Sequence, residues 1–214
     1  MTGEIVVLCA AGMLVSVYLM VGQKALFVTI RLYALQSLLL SVVAAAMGYG
    51  QGRHHLYASA VLTIGLKALW IPWFLMRVVD RVGIRREIEP HVNVPTGLLT
   101  CLGLTVVGYR VSLGLAAAEQ VAHQVVGASL SMLLMGLFLM VTRKKAITQI
   151  LAFLTIENAV FLAALGATVG MPLVVELGIS FDVLLVVLVL GVLVRRIVDR
   201  FESMDTSRLS RLKG

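Results

Sequence analysis

Four polar or ionisable side chains lie far inside long apolar stretches of the sequence, where a charge is costly. They are Gln36, Lys67, Glu157 and Asp182. A charged side chain at the centre of a bilayer costs about 2.5–3.5 kcal/mol on insertion scales, so such residues face a bundle interior or confined water. A carboxylate whose burial is balanced by a nearby cation can exchange protons near neutral pH. These residue types therefore predict proton handling inside a membrane.

The positions of these side chains along their helices predict that they share one depth. Measured along an ideal helix, each lies about 15–20 Å from the basic residue at the inner end of its span. The basic residues that mark those ends are Lys24, Arg77, Lys145 and Arg195. We therefore expect a polar layer near the middle of the membrane, with contributions from four separate spans.

Two further residues are predicted to support this layer. Asn158 follows Glu157 directly and adds an amide at the same depth. Pro72 follows Lys67 in "GLKALWIPWFL". Because proline cannot donate to the carbonyl four residues back, at Ala68, and its ring clashes there, we expect a kink beside the lysine. Such a distortion could admit water.

The same ionisable residues also have a purely structural interpretation. Hydrogen bonds and ion pairs between membrane helices are common and contribute about 1 kcal/mol each. Under this interpretation, Glu157, Lys67 and Asp182 hold helices together and move no protons. The residues alone leave both interpretations open.

Near-continuous apolar runs carry all of these residues. Hydrophobic residues make up 60% of the 214 residues and charged residues 14%, whereas soluble domains are about half apolar and a quarter charged. About seven runs have the length of roughly 20 residues that a bilayer requires. They are predicted at 4–22, 25–48, 56–79, 95–115, 121–142, 146–169 and 173–195. The sequence thus predicts an all-α polytopic membrane protein.

The positive charges predict how the spans are oriented. Most Lys and Arg residues lie in alternate connections and in the C-terminal tail, an asymmetry that marks the cytoplasmic side. The connections concerned contain Lys24; Arg77, Arg81, Arg85 and Arg86; and Arg143, Lys144 and Lys145. We expect the N-terminus outside and the C-terminus inside. Because topology explains the basic residues, no nucleic-acid partner is expected. Cys9 and Cys101 lie in apolar runs as packing residues, and no metal site is expected.

An internal similarity predicts a duplicated three-helix unit. "KALFVTIRLYALQ" (24–36) aligns without a gap on "KAITQILAFLTIE" (145–157), so that Gln36 falls on Glu157. Parallel repeats of this kind occur in transport proteins. The predicted divisions are a first repeat at 1–82, a connection with a linking fourth helix at 83–120, a second repeat at 121–200 and a cytoplasmic tail at 201–214.

With these residues in view, the chain resembles the hydrogenase-4 component E family, the membrane subunits of formate-hydrogenlyase-type group 4 energy-converting hydrogenase complexes. The matching stretches are "RLYALQS", "LKALWIPWFL", "TIENAVFLAAL", "VVELGISFDVLLVV" and the terminal "LKG". That family is similar to the K-type subunit of respiratory complex I and the C subunit of Mrp antiporters, which carry buried glutamates. By motif, Glu157 matches the second-helix glutamate and Asp182 takes the third-helix place. The first repeat departs, with Gln36 and Lys67 at the corresponding sites.

The resemblance implies a multi-pass subunit of the prokaryotic inner (cytoplasmic) membrane, within a hetero-oligomer. Its partners would be antiporter-like membrane subunits and a cytoplasmic hydrogenase-like arm. A [NiFe] centre and iron–sulfur clusters are expected only in partner subunits, so this chain would have no catalytic or redox site of its own. Glu157 and Asp182 would form a lateral proton relay, Lys67 would tune their proton affinity, and Gln36 would bridge by hydrogen bonding.

Two alternative functions remain at this stage. The chain could be a scaffold that joins larger antiporter-like subunits without passing protons, in which case small-residue faces at Gly127 and Gly136 would serve assembly. It could also be an independent seven-helix transporter. The latter is less favoured because the spans lack the paired glycine or proline breaks expected at a midplane substrate site.

Overall fold

The structure, a computed structural model, describes residues 2–51, 57, 60–82, 92–115 and 120–167. Within these ranges every secondary-structure element is a helix. The elements are α1 (Thr2–Gly22), α2 (Leu26–Gln51), a π-helical segment (Thr63–Trp70) that continues into α3 (Ile71–Val82), α4 (Val94–Leu115), α5 (Gln120–Thr142) and α6 (Ala146–Ala167). All described residues belong to one structural unit, Met1–Val175; the second unit, Glu176–Gly214, lies outside them.

Six helices in the described ranges are long and apolar enough to cross a membrane. They are Thr2–Gly22, Leu26–Tyr49, Ala60–Asp80, Val94–Gly114, Val121–Thr142 and Ala146–Gly166. Since a helix rises 1.5 Å per residue, lengths of 21 to 24 residues match a bilayer core of about 30 Å. The predicted all-α polytopic fold is confirmed. The seventh predicted span at 173–195, Asp182 and the tail at 201–214 lie outside the described residues.

Four helices pack in a closed cycle. Helix α1 contacts α2 and α5, and α6 contacts the same two helices. The π-helical segment and α3 pack on α2, while α4 packs chiefly on α5 and also on α1. The predicted division of the chain into two repeats stays a prediction.

The interior of this cycle is filled by large apolar side chains that are almost completely buried. Each of the four helices contributes at least two of them, including Met13, Met20, Tyr33, Leu40, Met132, Met135, Leu151 and Leu154. The outward faces carry exposed leucine and valine instead, as at Leu8, Leu99 and Val141. Because a soluble protein would not expose so much apolar surface, this distribution suits a surrounding of lipid.

Two glycines allow neighbouring helices to approach closely. A Cβ atom added at Gly127 would lie 2.6 Å from the ring of Tyr109, and one at Gly136 would lie 2.6 Å from Cγ1 of Ile156. Both distances are too short for non-bonded carbon atoms, so the missing side chains of Gly127 and Gly136 contribute to the close packing of α4 and α6 on α5. The small-residue faces that the scaffold hypothesis assigned to assembly with other subunits therefore contact helices of this same chain.

Arg143 joins the end of α1 to the connection between α5 and α6. Its side chain is buried, and Nη2 donates to the carbonyl oxygens of Met20 and Val21, at 2.9 Å each. The last carbonyls of a helix lack partners within the helix, and a cation is favourable there. Besides the topological role predicted from its charge, Arg143 thus caps α1.

Candidate functional site

A buried ion pair joins the π-helical segment to α6. Nζ of Lys67 lies 2.7 Å from Oε1 of Glu157, and the two side chains are only 2% and 4% exposed. This distance is within the range for direct proton transfer between two groups. Nζ also lies 5.9 Å from the centre of the Phe161 ring, whose face attracts a cation.

Two side-chain amides extend this pair toward α2. Nζ of Lys67 donates to Oδ1 of Asn158 at 3.3 Å. Nδ2 of Asn158 donates to Oε1 of Gln36 and to Oγ of Ser37, at 3.2 Å each. Asn158, Gln36 and Ser37 are all completely buried, so these bonds form away from solvent and fix the positions of the amides.

The hydrogen bonds continue to α1. Nε2 of Gln36 donates to Oγ of Ser16 at 3.3 Å, and Ser16 in turn donates to the carbonyl oxygen of Met13 at 2.5 Å. We call the six side chains linked in this way the polar cluster. It consists of Ser16, Gln36, Ser37, Lys67, Glu157 and Asn158, none of which is more than 5% exposed.

The helix that carries Lys67 is widened around it. At the end of the π-helical segment, the N–H of Ile71 donates to the carbonyl oxygen of Leu66, five residues earlier. Residue 72 is a proline without an N–H, so the carbonyl oxygen of Ala68 has no α-helical donor there and ordinary α-helical bonding is interrupted. The π-helical turns end at Trp70, and α3 continues from Ile71 with ordinary α-helical geometry. A π-helical segment thus lies directly before Pro72, a feature that often occurs at functional sites, while the kink predicted from Pro72 stays a prediction.

The burial of this pair has a clear energetic consequence. Removing two charges from water is unfavourable, and their attraction in a medium of low polarity offsets that loss only when further hydrogen bonds satisfy the charged groups. Asn158 supplies one such bond to the ammonium group of Lys67. Removing either member of a buried pair alone would leave an isolated charge, which typically costs about 3–5 kcal/mol.

The structure brings together three of the four residues predicted to form the polar layer. Gln36, Lys67 and Glu157 belong to the polar cluster, and the predicted supporting residue Asn158 lies at its centre. Asp182 lies outside the described residues. Pro72 is buried and follows the π-helical segment. The proposed role of these residues as a proton relay stays a prediction.

Sequence reasoning missed Ser16 and Ser37. The sequence carried a weak signal for Ser37, which directly follows Gln36, and for Ser16, which is the one serine in the apolar run of α1. Serine is common in membrane helices because its hydroxyl can bond within its own helix. Only the contacts of Ser16 and Ser37 with the two amides distinguish them from other serines.

The chemistry available in the polar cluster is acid–base chemistry. Glu157 and Lys67 can exchange a proton, whereas the amides of Asn158 and Gln36 can only donate and accept hydrogen bonds. Across the described ranges, no group of three or more His, Cys, Asp or Glu side chains is arranged to hold a metal ion.

The chain is similar along its length to curated proteins of bacteria. It is 34% identical over 206 residues to the uncharacterised protein Rv0085 of Mycobacterium tuberculosis, covering 95% of this chain and 94% of that protein. It is 26% identical over 222 aligned positions to hydrogenase-4 component E of Escherichia coli and of Shigella flexneri, with complete coverage of both chains. No family model matches the chain, and no solved structure matches it. The resemblance to hydrogenase-4 component E is confirmed as a distant similarity; the similarity to complex I and Mrp subunits stays a prediction.

Proposed function

This chain belongs to the family of the Mycobacterium tuberculosis protein Rv0085, and we propose that it is a non-catalytic integral membrane subunit of a redox-driven ion-translocating complex. In that complex, it would contribute a buried proton relay. The complex would be a group 4 membrane-bound hydrogenase or a related assembly, because a distant relative that aligns over its whole length is a component of hydrogenase-4.

The observation that carries this proposal is the contact of 2.7 Å between Lys67 and Glu157 inside an apolar bundle. Buried ion pairs are weak stabilisers, and well-packed apolar residues in their place are often equally or more favourable. Stability alone therefore gives little reason for an ion pair here. Groups that must gain and lose protons in the membrane do require ionisable side chains.

The elementary step would be a proton transfer within this pair. A proton leaves Nζ of Lys67 and binds Oε1 of Glu157, which converts an ammonium and a carboxylate into a neutral amine and a neutral carboxylic acid. The reverse transfer restores both charges. Asp182 would accept or supply the proton on the next helix, as the motif "GISFDVLL" suggests. Gln36 would take part only as a hydrogen-bonding group.

The partners in this proposal are antiporter-like membrane subunits and a cytoplasmic hydrogenase-like arm. Electron transfer would take place in that arm, on the [NiFe] centre and iron–sulfur clusters of the partner subunits. The chain would lie in the inner membrane of a prokaryotic cell with its N-terminus outside and its C-terminus in the cytoplasm, an orientation that the distribution of basic residues supports.

Proton translocation by the assembled complex tests this proposal. We expect Glu157→Gln and Asp182→Asn each to lower the number of protons moved per electron transferred, while the redox reaction continues and the subunits still co-purify. Glu4→Gln is the matched control, because Glu4 lies in the first turn of α1, outside the polar cluster. Normal translocation in both test variants would exclude the relay.

The scaffold function remains the second candidate, and one observation favours it. The hydrogen bonds that lead from Lys67 toward α1 pass through Asn158 and Gln36, whose amides cannot hand on a proton. If the chain is only a scaffold, Glu157→Gln leaves proton translocation intact, even though loss of the ion pair weakens the packing of the π-helical segment on the bundle under either function.

A further inference from the structure

The hydrogen bonds of the polar cluster all run in one direction, away from Lys67. An ammonium group has three donors and no acceptor, so Asn158 must turn its carbonyl oxygen toward Nζ. The amide nitrogen of Asn158 then faces α2 and donates to Gln36 at 3.2 Å. Gln36 must in turn present its carbonyl oxygen to Asn158, and its nitrogen faces Ser16 at 3.3 Å. The charge of one lysine thus dictates the orientation of two amides.

We propose that Ser16 and Ser37 are positioning residues that hold Asn158 and Gln36 in this orientation, and that the hydrogen-bond chain reverses when Lys67 becomes a neutral amine. The inference rests on the proposed function, because it takes Lys67 to pass its proton to Glu157. It goes further than the proposed function because it gives the amides a role other than proton transfer. Through their orientation, the amides transmit the charge state of Lys67 to α1 and α2.

The reversal is chemically possible because every group beyond Lys67 can both donate and accept. Once the proton has moved on from Glu157, the neutral amine of Lys67 can donate to the carboxylate through one N–H, and its single lone pair can accept from Nδ2 of Asn158 after that amide has turned over. Oδ1 of Asn158 would then accept from Gln36 and from the hydroxyl of Ser37. The hydroxyl of Ser16 would turn from the carbonyl of Met13, to which it now donates at 2.5 Å, toward Oε1 of Gln36.

Among the described groups, the charge of Lys67 is the one that sets the orientation of the two amides, because of the groups that surround it. Glu157 and Phe161 face it from α6, at 2.7 Å for the carboxylate and 5.9 Å for the ring centre. The side chains of α2 and α1 in the polar cluster, Gln36, Ser37 and Ser16, carry no charge. With the apolar interior around them, the dipoles of two buried amides respond to the ion pair more strongly than they would in water.

Ser37 and Ser16 fix the ends of the hydrogen-bond chain. Asn158 donates to Ser37 as well as to Gln36, at 3.2 Å each, so both hydrogens of its amide have an acceptor. Ser16 accepts a hydrogen bond from Gln36 and donates one to the backbone carbonyl oxygen of Met13 in α1. Loss of either hydroxyl would leave a buried amide hydrogen without its acceptor. This is unfavourable enough that the amides of Asn158 and Gln36 would no longer keep a single orientation.

Infrared difference spectra between low and high pH test the inference, recorded on membranes that contain the complete complex with isotope-labelled side-chain amides. We expect a shift in the amide carbonyl band of the wild-type chain, assigned to this site by its loss in Asn158→Leu. The band should stop responding to pH in Lys67→Arg, because a guanidinium retains the ion pair but stays charged.

Serine variants provide a second readout. Ser16→Ala should broaden or remove the shift, and Ser16→Thr should restore it. Ser41→Ala is the matched control, because Ser41 is buried in α2 and, among the described residues, donates only to the carbonyl of Leu38 in its own helix. An amide band in Lys67→Arg or Ser16→Ala that titrates as in the wild-type chain would overturn the inference. The proposed function fails by a different result, namely normal proton translocation in Glu157→Gln.

Discussion

The side-chain amides of Asn158 and Gln36 meet at 3.2 Å and tie α6 to α2 inside the bundle. Because Asn158 also accepts a hydrogen bond from Lys67, the same amide holds the third membrane-crossing helix. One residue thus connects three helices. The ion pair between Lys67 and Glu157 is therefore part of the packing of the bundle as well as a site for acid–base chemistry.

Replacing Lys67 by methionine should strongly destabilise the protein, because a buried carboxylate would lose the cation beside it. We expect a loss of about 3–5 kcal/mol in the free energy of unfolding, measured by thermal denaturation in detergent. The double variant Lys67→Met with Glu157→Gln should recover much of this loss. Arg77→Met is the control, since Arg77 is exposed on the same helical stretch. Equal stability of the Lys67 and Arg77 variants would contradict the structural importance of the pair.

Replacing Pro72 by alanine should allow ordinary α-helical geometry to extend toward Lys67, because residue 72 would regain an N–H. A change of one residue in register rotates a side chain by about 100° around the helix axis. We therefore expect Lys67 to move away from Glu157 and proton translocation to fall. Pro95→Ala in the first turn of α4, where proline is well tolerated, serves as the control. Translocation at the wild-type level in the Pro72 variant would show that the distortion is unnecessary.

Replacing Arg143 by methionine should loosen the end of α1. The guanidinium donates two hydrogen bonds to carbonyl oxygens there, and hydrogen bonds to charged groups contribute about 1.5–3 kcal/mol each. We expect faster amide hydrogen exchange around residues 20–25 and a lower melting temperature. Lys144→Met, at an exposed neighbouring position, should change neither. Unchanged exchange in the Arg143 variant would argue against the cap.

Replacing Gly127 by alanine should separate α4 from α5. The new methyl group would collide with the ring of Tyr109 at 2.6 Å, and overpacking of this kind costs about 1–3 kcal/mol. Gly103→Ala is the control, because a Cβ atom there meets no atom of the described residues within 4 Å. That variant should match the wild type or exceed its stability slightly, since alanine favours helix. A Gly127 variant that unfolds at the wild-type temperature would show that Tyr109 can move aside.

The membrane fold could be predicted from the sequence because its signals are local. A run of about 20 apolar residues is sufficient to indicate a spanning helix, whatever the rest of the chain does. The constant rise per residue also fixes how deep each side chain lies along its helix. This is why Gln36, Lys67 and Glu157 could be assigned to one layer. The kink predicted at Pro72 rests on the same kind of local argument, since the missing donor acts within one turn.

The partners of those residues depend on how helices far apart in the sequence pack and rotate against each other. Nothing local to Ser16 indicates that Gln36 will donate to it, and nothing in the connection around Arg143 indicates that its guanidinium will reach α1. The sequence alone indicated which of the described segments are long and apolar enough to cross a membrane, and how far along each helix its polar groups lie. Only the tertiary structure decided which of these groups meet, because rotation about the helix axes is set by close packing between helices, including contacts as tight as that of Gly127 with Tyr109.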